Sequence, residues 1–442
     1  MKNKWQSLIP GLILILISID VSAQVLIEKS FRAESEAEAL LELRASAPGA
    51  SWIEEGKEAA TVRVFLDGRY HQDLILYSGA RPFPYQLFLG RVPAGEHSVR
   101  VDLNRRFTAA GVANAAVNDA RITLIDRSQP EFEPISHAPI LYARANTIGR
   151  FSDVPLLMYY ETERRDNLTV YRYSVIFSNE DGGTQTSGLM ARWGRTTDIE
   201  WVCETHLDAQ GKAVKTIFQG VNHETKEFRG QREGEHPWLL VASDNNNFDD
   251  KRVTEMRFAL RPVAVDLRQS SREEVMDRHV WIYRVMAEEM IREGKITSDR
   301  TLGPLINDLR HYLYLDVHSL QRNGGVISFA VRLTGDPKWY TSNLGINSYK
   351  VDRSGYFRTT ILLPPGTNAR RVERLAVRCD VANNPRNQDE MTRATTAKCD
   401  FRGINKLFFL DHDFQPVATL PIRPSPLSLS FGEVVELSVL NR

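Results

Sequence analysis

The residues best suited to chemistry lie in one short segment, Asp198–Leu207, where polar and apolar side chains alternate. A period of two predicts a β-strand, whose successive side chains point to opposite faces. The expected outer face carries Asp198, Glu200, Val202, Glu204 and His206, and the expected buried face carries Ile199, Trp201, Cys203, Thr205 and Leu207. Three carboxylates and an imidazole in one row could bind a metal, hold a sugar or transfer protons. A solvated sheet face shows the same alternation.

A second group of polar side chains follows later in the chain. His236 supplies an imidazole, and the run Asp244–Asp250, which includes Asn246, supplies clustered oxygens of the kind that calcium prefers. An EF-hand loop would need an oxygen donor at Phe248 and a glycine directly after it, and neither is present. Asn and Asp runs also form ordinary turns. Calcium is therefore an open alternative, and the histidines, which fit no H-E-x-x-H frame, define no metal site.

A third candidate surface is the segment 311–318, which also alternates. Its leucines and valine are expected to face inward, and its polar and aromatic residues, Tyr312, Tyr314, Asp316 and His318, are expected to face outward. Exposed tyrosines beside a carboxylate and an imidazole could form a platform for a sugar, because aromatic faces stack on the apolar faces of sugar rings. The alternative is a plain sheet face.

Five short motifs follow one another between residues 137 and 250: APILYAR, PLLMYYE, SNEDGG, GRTTDIEWV and HPWLLVASDNN. Their order resembles that of the secreted VPS62-like group of uncharacterised proteins. Members of that group have a histidine-glutamate-glycine segment before an Asp-Trp-Glu motif, and later a His-Pro-led strand that ends in a turn with another histidine. The resemblance implies no particular activity.

The match to this group is partial. Asp198-Ile199-Glu200 corresponds to Asp-Trp-Glu, with Ile199 at the aromatic position. His236-Pro237 corresponds to the His-Pro pair. The family's histidine and glutamate positions are occupied by other residues here, namely Thr196 and Thr197 before the motif and Asp244 and Asn245 in the turn. A metal or catalytic role therefore does not carry over on these residues.

The elements that must position these residues are predicted to be mostly β-strands. Short strand patterns separated by turn residues predict an immunoglobulin-like β-sandwich over residues 24–127. Residues 135–442 are expected to form a larger β-rich region, either as one domain or as two that divide near residues 270–300.

Three segments favour helices. Glu34–Ala45 is rich in alanine, leucine and glutamate. Ser271 and Glu274 have the spacing of a capping box ahead of a long amphipathic helix near residues 272–293, whose apolar stripe predicts packing against a sheet. A shorter helix is expected at residues 302–310.

Residues 1–23 have the pattern of a secretory signal peptide. Lys2 and Lys4 precede the apolar run Leu8–Ile19, and Val21-Ser-Ala23 resembles a cleavage site. This pattern predicts a secreted or periplasmic protein. No later segment has about 18 uninterrupted apolar residues, so we expect no transmembrane anchor.

Charge and cysteine content narrow the choice of partners. The chain has 56 basic and 56 acidic residues, which argues against a nucleic-acid partner. Cys379 and Cys399 flank a polar loop that has no apolar pattern to fold upon, so a disulfide between them is favoured, although pairings through Cys203 stay open. If unpaired, Cys203 is expected to be an inert core thiol.

These observations lead to two functional hypotheses. The first is a secreted, non-catalytic binding or structural protein of the cell envelope or exterior, with a glycan or an envelope protein as its partner and no resident cofactor. It is favoured because the sequence contains no nucleophile elbow, metal-spacing motif or phosphate loop. The alternative is a metal-assisted or carboxylate-dependent hydrolase acting on extracellular glycan, with Asp198, Glu200 and His206 at its centre.

Overall fold

The computed structural model describes residues 24–145, 147–180, 182–298, 303–382, 396–417 and 426–438. These residues are mostly β, as predicted from the strand patterns. The predicted signal peptide, residues 1–23, lies outside the described residues.

The first part of the chain forms two antiparallel sheets with the strand orders β1-β6-β3-β4 and β5-β2-β7. The strands are β1 (Val25–Ala33), β2 (Ala37–Ser46), β3 (Thr61–Leu66), β4 (Arg69–Ile75), β5 (Phe83–Val92), β6 (Gly95–Leu103) and β7 (Ala116–Ile125). Whether the arrangement is immunoglobulin-like stays a prediction.

The helix predicted at Glu34–Ala45 is wrong, because most of this segment is β2. β2 is the central strand between β5 and β7, and Leu41 and Leu43 are fully buried there. Alanine, leucine and glutamate favour helices locally, but pairing on both edges and burial on both faces outweigh that weak preference.

The second part forms a six-stranded sheet, β13-β12-β11-β10-β9-β18, and a smaller sheet, β14-β15-β8-β17, to which β16 is added beside β15. Its elements are α1 (Phe132–Ser136), β8 (Ile140–Tyr142), β9 (Pro155–Arg165), β10 (Leu168–Phe177), α2 (Thr186–Trp193), β11 (Asp198–Leu207), β12 (Ala213–Gln219), β13 (Thr225–Glu227), β14 (Arg232–Glu233), β15 (His236–Val241), β16 (Phe248–Asp249), β17 (Arg257–Phe258) and β18 (Val263–Ala264). β11 has the bounds that the alternation predicts.

The first two parts share one hydrophobic core. A β-bridge joins Leu87 of β5 to Leu260, and the Phe88 N–H donates to the Ala259 carbonyl at 2.9 Å. Most buried apolar residues of both parts belong to one continuous cluster, which also includes the apolar side of the following helices and a few residues beyond them, among them Tyr314 and Phe408. Residues 24–127 are thus packed directly against the rest of the chain.

Two short helices occupy the place of the predicted long helix: α3 (Glu274–Arg278) and α4 (Trp281–Arg292). His279 departs from helical geometry, with φ −125° and ψ 60°, and separates them. The Ser271 hydroxyl is buried without a hydrogen-bond partner, so the predicted capping box does not form. The break redirects the chain so that Trp281 stacks on Tyr77, with ring centroids 5.2 Å apart.

The last part is a second pair of sheets, β22-β19-β24-β25 with β26 beside β24, and β21-β20-β23-β27. The strands are β19 (Tyr312–Arg322), β20 (Gly325–Leu333), β21 (Trp339–Thr341), β22 (Gly355–Leu362), β23 (Val372–Val381), β24 (Lys398–Leu410), β25 (Pro416–Val417), β26 (Leu427–Ser430) and β27 (Val434–Ser438). A separate hydrophobic core lies between these sheets.

The predicted disulfide is confirmed. Cys379 of β23 is bonded to Cys399 of β24, and Cys203 is a buried free cysteine. The short helix predicted at residues 302–310 is wrong in its described part, which contains turns and the start of a 3-10 turn at Leu309–His311. In the part of the chain that the structure describes, every helix is too short or too polar to cross a membrane.

Candidate functional site

The strand that carries the main candidate residues, β11, contains a β-bulge. Its register with β10 pairs Cys203 with Tyr173 and Trp201 with Ser174, which leaves Val202 as an extra residue between them. Because of this extra residue, the side chains on one side of the bulge point to the face opposite to the one that regular alternation would give.

The bulge divides the predicted row of acids between the two faces of the sheet. Asp198 and Glu200 share the face of Cys203, whereas Glu204 and His206 lie on the opposite face. The predicted solvent exposure of this row is also wrong, because Asp198 is 2% exposed and Glu204 is 3% exposed. Alternation fails as a guide here because it assumes a regular pleat.

The charge of Glu204 is neutralised by two arginines on the neighbouring strands β9 and β10. Its carboxylate accepts hydrogen bonds from Arg172 Nε at 2.6 Å and from Arg165 Nη1 at 2.9 Å. Burial acts to raise the pKa of Glu204, but the hydrogen bonds and charges of these arginines hold it below its usual value. His206 Nε2 lies 3.4 Å from the same carboxylate, and burial lowers the pKa of His206. On this face of β11, Arg165 and Arg172 therefore hold Glu204 in a structural ion-pair network.

Asp198 and Glu200 belong instead to a cluster that we name the carboxylate cluster, defined as Glu180, Asp198 and Glu200. Glu180 follows β10 and accepts a hydrogen bond from the Thr184 N–H at 3.0 Å. Gln219, at the end of β12, donates to Glu200. The cluster thus lies where β10 ends and β11 begins, and the end of β12 adds Gln219.

The carboxyl groups of this cluster resist ionisation. Burial and the charge of Asp198 raise the pKa of Glu200 to about 8 and that of Glu180 to about 7. Burial also raises the pKa of Asp198, against the charge of Arg195 and a hydrogen bond from Asn246. Buried like charges that cannot all be ionised together are typical of functional sites, although structural networks also produce them.

Positive charge near the cluster is limited. Arg195 Nη1 lies 3.9 Å from Asp198, but Arg195 Nε donates to Glu273 at 3.1 Å. Arg272 donates to the Ile199 carbonyl at 2.7 Å. The three carboxyl groups of the cluster therefore share these two guanidinium groups with Glu273, which also lies near Arg353 and Arg358.

Asn246 connects the cluster to the loop before β9. Its Nδ2 donates to Asp198 Oδ2 at 3.0 Å and to Asp153 Oδ1 at 3.3 Å. Asn246 is fully buried, and its Oδ1 has no hydrogen-bond partner. A buried carbonyl oxygen without a donor is costly, and it is free to ligate a cation.

The loops around the cluster hold strained backbone. Five non-glycine residues in them have left-handed φ angles: Phe151 (53°), Asp153 (51°), Asn222 (63°), His223 (59°) and Asn246 (47°). Such conformations persist where the surroundings enforce them and are frequent at binding and catalytic sites. Asn245 Nδ2 lies 2.8 Å from His223 Nε2, which ties two of these loops together.

Gly183 is required at the edge of the cluster. Its φ is +87°, and a β-carbon there would lie 2.5 Å from Asn245 Oδ1 and 2.9 Å from Glu180 Oε1. Only glycine both adopts this conformation readily and leaves room for these two oxygens.

Asp244 joins the cluster to a cavity. Arg144 Nη1 donates to Asp244 Oδ1 at 2.7 Å, and Arg144 Nη2 donates to Asp153. Asp244 also lines a polar cavity of about 970 Å³, whose other charged lining residues include Arg150 and Glu293. A chain of polar contacts therefore runs from the cavity through Arg144 and Asp153 to Asn246 and the carboxylate cluster.

His236 is placed elsewhere, between the first two parts of the chain. Its Nδ1 lies 2.8 Å from the Ala138 carbonyl, its ring stacks on Phe88 at 4.5 Å, and its Nε2 is 3.6 Å from Glu38. Glu38 also accepts from Ser136 at 2.8 Å. The structure does not bring His236 to the carboxylate cluster.

The aromatic platform expected on β19 is wrong. Tyr314 is fully buried and stacks on Phe408, with ring centroids 4.8 Å apart. Asp316 accepts two hydrogen bonds from Arg358, at 2.7 and 2.8 Å. His318 is half-buried and stacks on Tyr356 at 4.1 Å. Both faces of β19 are covered, one by the second core and the other by α3 and α4, so alternation could not identify an exposed face.

Glu274, Asp277 and Asp316 place three carboxylate oxygens within 4.8 Å of one another. Arg358 Nη2 donates to Asp277 at 2.8 Å, and Lys406 Nζ donates to Glu274 at 3.0 Å and also to Asp277. This group is an ion-pair network between α3 and the last sheets, and its charge is already compensated.

Sequence reasoning missed several residues of the site, namely Arg144, Asp153, Glu180 and Gly183. Glu180 and Gly183 lie in a segment that the sequence marks only as a turn. Two consecutive glycines beside acidic residues were the available signal, because such glycines often allow a close approach of other groups.

Comparisons with known proteins add little to this geometry. No family model and no curated protein matches the chain. Among solved structures it is similar to NLPPya in complex with mannosamine, at 10% identity and a TM-score of 0.23, over 30% of this chain and 70% of that one. NLPPya in complex with glucosamine gives the same values, a TM-score of 0.23 at 10% identity over 30% and 70% of the two chains. Ruminococcus gnavus β-glucuronidase gives a TM-score of 0.16 at 10% identity over 52% and 33%. These scores are too low to define a shared fold or ligand.

Proposed function

We propose that this chain is a binding protein that works outside the cytoplasm and that the carboxylate cluster binds a divalent cation. The observation that carries the proposal is that the buried Asn246 donates to Asp198 and has an Oδ1 without a hydrogen-bond partner, beside glutamates whose ionisation burial and the charge of Asp198 oppose. The signal-like N-terminus and the disulfide support the compartment.

The donor atoms favour a hard cation such as calcium or magnesium. The cluster and Asn246 offer carboxylate and amide oxygens, the ligands that these ions prefer. The histidine and the cysteine of β11 do not contribute nitrogen or sulfur ligands to the carboxylate cluster. His206 lies on the opposite face of the sheet, and Cys203 is buried in the core. Cation binding would release protons from Glu180 and Glu200 and restore the ionised forms.

A carboxylate-dependent hydrolase is the second candidate. It is favoured by the two glutamates whose pKa values lie near neutrality, because a carboxyl group that titrates near the working pH can act as an acid or as a base. The cavity beside Asp244 is connected to these glutamates only through the hydrogen bonds of Arg144, Asp153 and Asn246, so a substrate there would need to displace part of this chain. His206 takes no part, since it faces away from Asp198 and Glu200.

Titration calorimetry of the chelator-treated protein with calcium chloride and with magnesium chloride tests the cation proposal. We expect saturable binding of at least one ion, lost in Asp198→Asn and in Glu200→Gln. Glu204→Gln is a matched control, because Glu204 is on the same strand but on the other face, and it should bind as the wild type does. Absence of binding of both ions to the wild type, or equal loss in Glu204→Gln, would contradict the proposal.

The hydrolase candidate has a separate readout. Release of reducing ends from a panel of polysaccharides, by wild-type protein but not by Glu200→Gln, would favour it over a binding role. A wild-type protein that binds a cation and releases no reducing ends would favour the binding role.

A further inference from the structure

The last pair of sheets presents an outer face that the previous sections leave without a role. In the sheet β21-β20-β23-β27, residues such as Phe329 and Val377 face the second core. Their neighbours along the strands, Ser328, Ala330 and Ala376, point the other way, since successive strand residues alternate.

The register places small side chains in the centre of this outer face. Ala330 pairs with Ala376 on one side and with Thr341 on the other, and Ser328 pairs with Arg378. Ala376 in turn pairs with Glu436 of β27. Small residues in the middle of this row and larger residues at its ends leave a depression on the face of the sheet.

A cavity of about 350 Å³ occupies this groove. We name it the sheet-face groove. Its floor is formed by Ser328, Ala330 and Ala376, and its walls include Trp339, Lys350, Arg378 and Glu436. Trp339 also borders a second cavity, of about 570 Å³, on its other side. The half-buried indole is therefore a ridge between two depressions.

The charged walls are held in place before any ligand arrives. Lys350 Nζ donates to Asp380 at 2.7 Å, and Arg378 Nε donates to the same carboxylate at 3.0 Å. The Arg332 guanidinium lies 5.6 Å from the centre of the Trp339 ring, which fixes that side chain against the sheet. Pre-organised side chains lose less conformational entropy on binding.

We propose that the sheet-face groove binds an oligosaccharide, with a sugar ring against Trp339 and its hydroxyl groups on Lys350, Arg378 and Glu436. The chemistry fits, because a sugar ring has an apolar face for the indole and hydroxyl groups that both donate and accept hydrogen bonds. The second depression beyond Trp339 gives room for a further ring.

A peptide fits this surface less well. An extended peptide binds a sheet by adding a strand at its edge, where backbone N–H and C=O groups are free. The sheet-face groove lies on the face of the sheet and not at its edge, and the residues that line it include Ser328, Trp339 and Arg378. The backbone groups of a peptide would be left largely without partners there, whereas the hydroxyl groups of a sugar would not.

This inference is independent of the cation proposal, because it concerns another pair of sheets with a separate core. The test can therefore be run with a chelator present. Full-length protein is applied to a glycan array of plant, fungal, bacterial and animal oligosaccharides, and the strongest oligosaccharide is then titrated in solution in EDTA.

We expect the wild type to bind at least one oligosaccharide on the array. Trp339→Ala should weaken binding at least about tenfold, as removal of a central aromatic contact does. Ala376→Trp should weaken it similarly by filling the floor while Trp339 stays in place. Phe431→Ala is the control, since Phe431 is exposed at the turn before β27 but does not line the groove.

If Trp339→Ala unfolds the protein, its melting temperature will be lower than that of the wild type. The affinity of Ala376→Trp for the selected oligosaccharide then tests the proposal. The proposal is overturned if the wild type binds no glycan on the array, or if both groove variants bind the selected oligosaccharide as tightly as the wild type. Binding that disappears in EDTA would also overturn it, because it would place the sugar at the carboxylate cluster.

Discussion

Glu200 and Glu204 lie on the same strand but on opposite faces of the sheet, because Val202 is an extra residue between them. On a regular strand, residues four positions apart share a face. Glu204 is neutralised by two arginines, whereas Glu200 accepts a hydrogen bond from Gln219 and lies near the charge of Asp198. The bulge thus separates a structural ion-pair network from a site that resists ionisation.

The raised pKa of Glu200 makes a pH-dependent contribution to stability. Its pKa rises from 4.5 in the unfolded chain to about 8 in the folded one, so the folded state holds the extra proton and loses stability as the pH rises through this range. In EDTA, Glu200→Gln should therefore gain stability relative to the wild type between pH 5 and about 8, by about 1.4 kcal/mol or more.

Urea unfolding of both proteins at several pH values checks this expectation. The difference between them isolates Glu200 from the histidines that titrate in the same range. A difference that stays constant with pH would show that Glu200 is ionised normally.

Substitution of Gly183 should damage the carboxylate cluster. Gly183→Ala introduces a β-carbon 2.5 Å from Asn245 Oδ1 at a positive φ, so both the backbone and the cluster must shift. We expect a loss of about 1–3 kcal/mol in the free energy of unfolding and weaker cation binding. Gly366→Ala is the matched control, because Gly366 has φ +76° with no atom within 4 Å of the added carbon. Equal losses in the two variants would mean that only backbone strain matters.

Arg358 should be among the residues most sensitive to substitution. It is fully buried and bonds both Asp277 and Asp316. Arg358→Met leaves the buried Asp316 without its hydrogen-bond donor, while Asp277 keeps Lys406, and loss of one partner of a buried pair costs about 3–5 kcal/mol. Arg268→Met removes an exposed ion pair with Asp266 and should leave the free energy of unfolding almost unchanged. Chemical unfolding compares the two, and a small loss for Arg358→Met would contradict the network's role.

Thiol titration should distinguish the three cysteines. Native protein should show no reactive thiol, because Cys203 is fully buried and burial raises its pKa. Denatured protein should show one thiol, and denatured, reduced protein three. Replacing both Cys379 and Cys399 with serine should lower the free energy of unfolding by about 3 kcal/mol. A second thiol in the denatured, unreduced protein would contradict the Cys379–Cys399 bond.

Local patterns in the sequence identified much of the fold. The bounds of β11 follow from its alternation, and the disulfide follows from two cysteines that flank a polar loop. Both features depend on residues close together in the chain. The helix predicted over β2 failed because two neighbouring strands, distant in sequence, enclose it on both edges.

The site was harder to predict because its geometry depends on single residues and distant contacts. Nothing in the composition of β11 marks Val202 as a bulge. The strand that contains Tyr314 has the same alternating pattern as a strand with one face exposed to solvent. Tyr314 is buried because Phe408 and the helices, which are distant in the sequence, pack against it. Glu180 lies in a segment that the sequence marks as a turn, where acidic residues are expected to be exposed to solvent.

The continuous core between the first two parts of the chain governs how the protein should melt. Since Leu87 and Leu260 belong to one cluster that also takes in α3 and α4, this block should unfold in a single cooperative heat-absorption peak. The last pair of sheets has a second core and a covalent cross-link, but Tyr314 and Phe408 belong to the first cluster, so scanning calorimetry should show its unfolding coupled to that of this block.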